Sequence, residues 1–403
     1  MKAIYLFFSI SLFSTFIFAQ TYDYTVASDG TGDFTSVQEA VNACPDNVRK
    51  TIFIKAGTYS EKVMIGSHSR TSNKLLNIIG ENAETTLITW DDYNGKSIVY
   101  DGNTTTSGTP QSATFTVNAV DFYAENITIK NTYTAKQAVA LYNVADRQTF
   151  KNCRIIGYQD THYLKKGRRS YFYDCYIEGA TDYICAGGTA LFENCTLKSI
   201  KNNSYITAPE DITAFRQVGT KKYYYGFVFL NCNLISDSGI EVYLGRPWQG
   251  TSSSVYLSCT MQNIKSAGWS IWSGNDNHLT SFFAEYQSKK QDGTAIDTTQ
   301  RISWSYQLTA DEVQNYYKRE DVFSASTFTT PYDPFTLVGN STSVPQTELD
   351  KKEIVKIEVY NILGNKIIEL SGKKELLSLQ KGIYILKIRD IAGMIWTEKN
   401  QIF

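Results

Sequence analysis

Histidine is nearly missing from this chain, with only His68, His162 and His278 among 403 residues. No His-Glu-x-x-His or Cys-x-x-Cys spacing accompanies them, so the sequence calls for neither a catalytic nor a structural zinc ion. The Gly-x-Ser-x-Gly turn of a serine hydrolase is absent as well. Ser273-Gly274-Asn275 and His278 sit too close in sequence to form a triad gathered from separate elements. An excess of charge is also lacking. With 39 Lys+Arg against 40 Asp+Glu, there is no electrostatic basis for binding nucleic acid or a membrane surface. Proline is scarce at 7, whereas glycine reaches 26 and tyrosine 28, a balance suited to many strands and tight turns.

Long apolar runs are missing except at the start. Residues 1–19, with Lys2, a Phe-rich stretch and Phe18-Ala19-Gln20 at its end, read as a secretory signal peptide. A membrane anchor is the poorer reading, because no stop-transfer charges follow. No other segment is long and apolar enough to span a bilayer. The expectation is a secreted or cell-surface protein, soluble and monomeric.

What is present is a repeat. Phe150-Lys-Asn-Cys-Arg-Ile-Ile-Gly157-Tyr-Gln-Asp160 and Phe172-Tyr-Asp-Cys-Tyr-Ile-Glu-Gly179-Ala-Thr-Asp182 match at Phe, Cys, Gly and Asp, 22 residues apart. Gln137 and Gln159 share that spacing. The Asn/Asp-Cys pair recurs at Asn152-Cys153, Asp174-Cys175, Asn194-Cys195, Asn231-Cys232 and, as Ser258-Cys259, in degenerate form, while Asn126-Ile127 fits the same slot. Successive spacings of 26, 22, 20, 37 and 27 residues describe a solenoid of β-coils, one of them carrying an inserted loop. No helices alternate with the strands, which excludes a doubly wound α/β fold. The predicted class is all-β, a parallel β-helix with short capping helices and a small C-terminal β-module. Five of the seven cysteines occupy one repeat position, so they are expected as a stacked column of free thiols in the core.

Thr35 to Cys44 reads as a helix capped by Ser36 and Glu39, stopped by Pro45 and placed to plug the solenoid's end. A second capped helix begins at Thr309, with Glu312 as its partner. Residues 20–338 form the predicted β-helix domain, 339–349 a linker, and 350–403 a separate β-module with strands around Val355–Leu363, Lys366–Leu370, Gly382–Ile388 and Met394–Thr397.

On neighbouring coils Asp160, Asp182, Gln137 and Gln159 converge on one patch. Two close carboxylates drive their pKa values apart, giving one anion and one acid. An arginine beside one of them fixes which stays charged, and Arg246 is the best candidate. The two glutamines supply amide donors for an oxyanion. Taken singly, either Asp is better explained as a turn-former.

Five ordered motifs change that balance: Gly57-Thr-Tyr-Ser-Glu61, Gln137-Ala-Val-Ala-Leu141, Gln159-Asp-Thr-His162, Asp182-Tyr-Ile-Cys-Ala186 and Leu244-Gly-Arg-Pro-Trp248. With Gly268-Trp-Ser-Ile-Trp272, Glu285-Tyr286 and Arg301-Ile-Ser-Trp304, they make roughly residues 22–337 resemble the pectin methylesterases. The resemblance implies a right-handed parallel β-helix that hydrolyses the C6 methyl esters of pectin with water and without a cofactor or metal. It implies Asp182 as nucleophile, Asp160 as acid and then base, and Gln137 and Gln159 as the oxyanion hole. Arg246 would hold Asp182, and Trp248, Arg246 and Tyr183 would contact substrate. Two positions depart from the family pattern. His162 stands where Leu is usual, and strand alternation would put it on the same side as Asp160. Tyr183, Cys185 and Ala186 stand in a motif that usually reads Asp-Phe-Ile-Phe-Gly. A pectin lyase or polygalacturonase shares the fold but gives the glutamine pair no role, and a non-catalytic pectin binder would not need Arg246.

Residues 350–403 resemble the sorting domain of the Bacteroidetes type IX secretion system through Val359-Tyr-Asn-Ile-Leu-Gly364 and Lys381-Gly-Ile-Tyr-Ile-Leu-Lys387. The usual Asn-Pro opening strand is missing. The resemblance implies a partnership with secretion machinery; the alternative is a small carbohydrate-binding or interaction module.

Overall fold

A computed structural model of the chain describes residues 22–337 apart from 68, 101 and 336, and residues 354–360, 366–370, 382–390 and 395–402. The predicted signal peptide over 1–19 and predicted linker over 339–349 lie outside the described residues. The chain divides into two compact units at Pro331 and Tyr332. Among the described residues no helix is long and apolar enough to cross a membrane.

Within the first unit, parallel strands stack into sheets of eleven, nine and seven. One coil contributes Gln148–Lys151, Arg154–Ile156 and His162–Leu164, one strand to each sheet; the next contributes Arg169–Tyr173, Tyr176–Gly179 and Ile184–Ala186. Phe150 pairs with Phe172, then Phe192, Phe229 and Tyr256, in unbroken register. This is a right-handed parallel β-helix.

The Asn/Asp position of the repeat explains itself locally. Asn126, Asn152, Asp174, Asn194, Asn231 and Ser258 all take left-handed φ values between 45° and 59°. Short polar side chains tolerate that conformation best, and it turns the chain from the first sheet into the second. The residue that follows points inward. Cys153, Cys175, Cys195, Cys232 and Cys259 are buried free thiols. Four of them donate to the Phe carbonyl of the preceding coil, as Cys195 does to Phe172 at 3.4 Å. Beside them runs a ladder of rings, with centroids 4.8 Å apart from Phe172 to Phe192 and from Phe192 to Phe229. Each fully buried ring contributes about 1.5–3 kcal/mol.

Helix Val37–Ala43 covers the first coil. Ser36 accepts the Glu39 N–H, but the carboxylate at this terminus is Glu61, which accepts from the Val37 and Gln38 N–H groups at 2.7 and 2.9 Å. Glu39 needs no role there, because a carboxylate from another coil already meets the positive end of the helix. The 37-residue spacing holds an antiparallel hairpin, Phe215–Val218 with Lys221–Tyr224. It packs on helix Ala310–Tyr316, whose capping box of Thr309 and Glu312 is complete. Tyr223 stacks on Tyr316 at 4.4 Å. A third helix, Arg319–Phe323, lies beyond what the sequence pattern indicated. The second unit is an antiparallel sheet in which Ile354–Tyr360 lies between Lys366–Leu370 and Gly382–Asp390, with Ile395–Ile402 at the edge.

Candidate active site

Asp160 and Asp182 occupy the same turn on consecutive coils, ahead of paired strands in the seven-stranded sheet. Both have left-handed backbones, φ 59° and 51°. That conformation resets the alternation of the strand that follows. His162 and Ile184, two residues on, turn into the core; Tyr163 and Cys185, three residues on, face outward into a groove.

The groove has a volume of about 370 Å³. Gln137, Gln159, Asp160, Asp182, Arg246 and Trp248 all line it, joined by Trp272, Tyr163, Cys185 and Ala208. Gln137 and Gln159 are bridged backbone to backbone on adjacent coils, and Gln159 to Thr181 above. A larger cleft of about 640 Å³ lies beside helix Val37–Ala43, but among the described residues Asp46 is its only carboxylate. Paired carboxylates, and with them acid–base chemistry, belong to the smaller groove.

Tyr183 is a correction. It is fully buried among core side chains, its hydroxyl 3.1 Å from Ser199 Oγ, and it does not reach the groove. His162 is another. Its ring packs on Phe172 with centroids 4.7 Å apart, Nε2 meets Asn143 Oδ1 at 2.7 Å, and Nδ1 has no partner. Burial holds its pKa down at about 3, so it stays neutral. The His162 misplacement follows from counting alternation through a left-handed residue, whereas Tyr183 was assigned by the family resemblance.

The environments of the two carboxylates diverge. Arg246 grips Asp182 through two parallel hydrogen bonds, Nε to Oδ1 at 3.0 Å and Nη2 to Oδ2 at 2.6 Å. The guanidinium is itself clamped between the Tyr205 and Trp272 rings, 4.0 and 4.1 Å from their centroids. Burial raises the Asp182 pKa, and Arg246 opposes that rise. Asp160 has no such partner. Burial first, and then the Asp182 charge, push it up to about 8 against a weaker pull from Arg246. Asp182 is therefore the group that ionises first, and Asp160 holds the proton at neutral pH.

Asn94 orients Gln137. Its Nδ2 donates to Gln137 Oε1 at 3.4 Å and to Thr109 Oγ1 at 3.1 Å, leaving the Gln137 amide donors uncommitted. Sequence reasoning overlooked Asn94, since nothing in its loop repeats. Trp272 sits in a quoted motif but received no role, and Tyr205 carried no signal.

Residues 23–328 match the Pectinesterase family model. The chain is 33% identical over 300 residues to Pectinesterase 31 of Arabidopsis thaliana, covering 72% of this chain and 89% of that protein. It superposes on the pectin methylesterase from carrot with a TM-score of 0.65 at 28% identity, over 78% of this chain and 98% of that one. The pectin methylesterase PemA from Erwinia chrysanthemi gives a TM-score of 0.61 at 30% identity, over 78% and 100%. With a family match across most of its length and two differently poised carboxylates in one groove, the chain belongs to the pectinesterase family of carboxylic ester hydrolases.

Proposed function

We propose that this enzyme hydrolyses the C6 methyl esters of pectin, with Asp182 as nucleophile and Asp160 as acid and then base. The observation that carries the assignment is the two-point Arg246 grip on Asp182 beside an unpaired, proton-holding Asp160. An Asp182 carboxylate oxygen attacks the ester carbonyl carbon. The resulting oxyanion accepts hydrogen bonds from the Gln137 and Gln159 side-chain amides. Asp160 gives its proton to the methoxy oxygen as that C–O bond breaks, and methanol leaves. The anhydride left on Asp182 is then attacked by water, whose proton passes to Asp160 as the Asp182 carboxylate is released with the galacturonate product. Trp248, tilted against Trp272 with centroids 6.4 Å apart, supports a sugar ring at the groove wall. Methanol release from methylated pectin with no rise in reducing ends or unsaturated products tests this reading; new reducing ends would instead mean glycosidic cleavage.

We further propose that residues 350–403 engage a type IX secretion system and take no part in catalysis. The compact second unit and its antiparallel sheet support an appended module. A chain ending before residue 339 is expected to keep its specific activity once purified and folded, while the protein stays inside its native cell. Loss of activity in that folded truncation would reject the division.

A further inference from the structure

Phe150, Phe172, Phe192 and Phe229 occupy four successive rungs of one core column, and on the next rung stands Tyr256. Its ring is fully buried and stacks on Phe229 with centroids 4.4 Å apart, so packing alone asks for nothing more than another Phe. The added oxygen has a partner. It donates to the Leu244 carbonyl at 3.0 Å, two residues before Arg246. Burial keeps this phenol protonated, which leaves it a donor at any working pH. Thr207 Oγ1 donates to the same carbonyl at 3.0 Å and accepts from Ser254 Oγ at 2.9 Å. Thr207 and Ser254 are fully buried as well. Ser254 and Tyr256 belong to strand Ser253–Leu257 of the eleven-stranded sheet, whereas Thr207 and Leu244 lie on paired strands of the seven-stranded sheet. Three hydroxyls therefore tie the two sheets together through the core, and the tie ends on one carbonyl.

That carbonyl sits where the ion pair is set. Strand Ser204–Pro209 holds the backbones of both partners: the Asp182 N–H donates to the Tyr205 carbonyl at 2.9 Å and the Arg246 N–H to the Thr207 carbonyl at 3.0 Å. Gly245 lets the two strands close up, because a Cβ there would overlap the Thr207 hydroxyl. The two Arg246–Asp182 bonds, at 3.0 and 2.6 Å, must align together, so a small backbone shift at Arg246 loosens both. We infer that Tyr256, Thr207 and Ser254 are positioning residues for this pair: by fixing the Leu244 carbonyl they set where Arg246 stands relative to Asp182. None of the three is among the residues described as lining the groove, so they act through Arg246 and not on the substrate. This rests on the esterase reading above.

The test measures methanol release from methylated pectin by the full chain as a function of pH, with Tm recorded beside it. Tyr256→Phe restores the residue of the four preceding rungs and keeps the stack. It is expected to lower kcat about two- to tenfold, the scale of one buried hydrogen bond, with KM little changed. The acid limb of the kcat/KM profile should move to higher pH. Of the groups facing Asp182, Arg246 and the more distant Lys201 favour its anion, Asp160 is coupled to it by charge, and Cys185 stays protonated. A loosened Arg246 contact is therefore what the moving limb reports. Thr207→Val keeps the shape and loses the hydroxyl, and should act in the same direction; Thr207→Ser keeps the hydroxyl and should stay close to wild type. If Tyr256→Phe and Thr207→Val lower Tm but leave kcat and the acid limb in place, the hydroxyls only hold the fold and the inference is overturned. A wild type that releases no methanol would overturn the esterase reading, and the inference with it.

Discussion

Arg246 and Asp182, 64 residues apart, form a parallel two-point ion pair, whereas the sequence-equivalent Asp160 has no arginine of its own. That asymmetry turns two copies of one repeat position into an anion and an acid. Neither a metal ion nor a histidine has to supply the difference.

Replacing Asp182 with Asn removes the nucleophile without changing the side chain's shape. Methanol release should fall at least ~10³-fold, the scale seen when a residue of a concerted catalytic unit is lost. Near-native release from Asp182→Asn would reject the assignment.

The proton on Asp160 also makes a stability prediction. Its folded pKa, about 8, lies above the ordinary carboxylate value of 3.8. Below about pH 4 both the folded and unfolded states hold the proton, and nothing is lost. As pH rises toward 8, the unfolded chain releases the proton while the folded chain retains it, so stability declines across that window. Asp160→Asn lacks this penalty. Its Tm advantage over wild type should grow between pH 4 and pH 8, while methanol release collapses; a Tm difference independent of pH would contradict the protonated state.

Arg246→Ala should preserve the β-helix and raise the Asp182 pKa further, since burial would then be opposed only by the more distant Lys201 charge. The acid limb of the kcat/KM profile is expected to move to higher pH, with turnover down about 10²-fold or more. Arg246→Lys should recover little, because an ammonium cannot make the two parallel bonds or stack flat between Tyr205 and Trp272. An unmoved acid limb would detach Arg246 from the ionisation of Asp182.

His162 should weaken the fold in acid. Its pKa falls from about 6.5 to about 3 on burial, so the unfolded chain takes up a proton below pH 6.5 that the folded core refuses. Stability is complete above that pH and declines as pH drops toward 3. His162→Leu should therefore gain in Tm relative to wild type as pH falls from 7 to 4. A constant difference would place the histidine outside the core.

All seven cysteines are free and buried. Denatured, unreduced protein should titrate as seven thiols, and native protein as almost none within minutes, because all seven are buried and burial raises the thiol pKa values of Cys153, Cys175, Cys195, Cys232 and Cys185. Oxidation of the five column cysteines would refute the stacked core.

The sequence by itself determined the coil. Its 22-residue repeat, the Asn/Asp that tolerates a left-handed turn and the Cys and Phe that follow in phase are local matters, decided within one rung and copied to the next. Stacking those rungs placed Asp160 under Asp182 and Gln137 beside Gln159, so their convergence in one groove was legible. What a side chain faces after a left-handed residue was not legible, and alternation misplaced His162 for that reason. The division of labour was decided only by the tertiary structure. It depends on Arg246 arriving across an inserted hairpin, held flat between Tyr205 and Trp272, and on how deeply each carboxylate is buried. Burial and long-range charge are properties of the assembled groove, because the electrostatic cost of an ion is set by everything packed around it rather than by its neighbours in sequence.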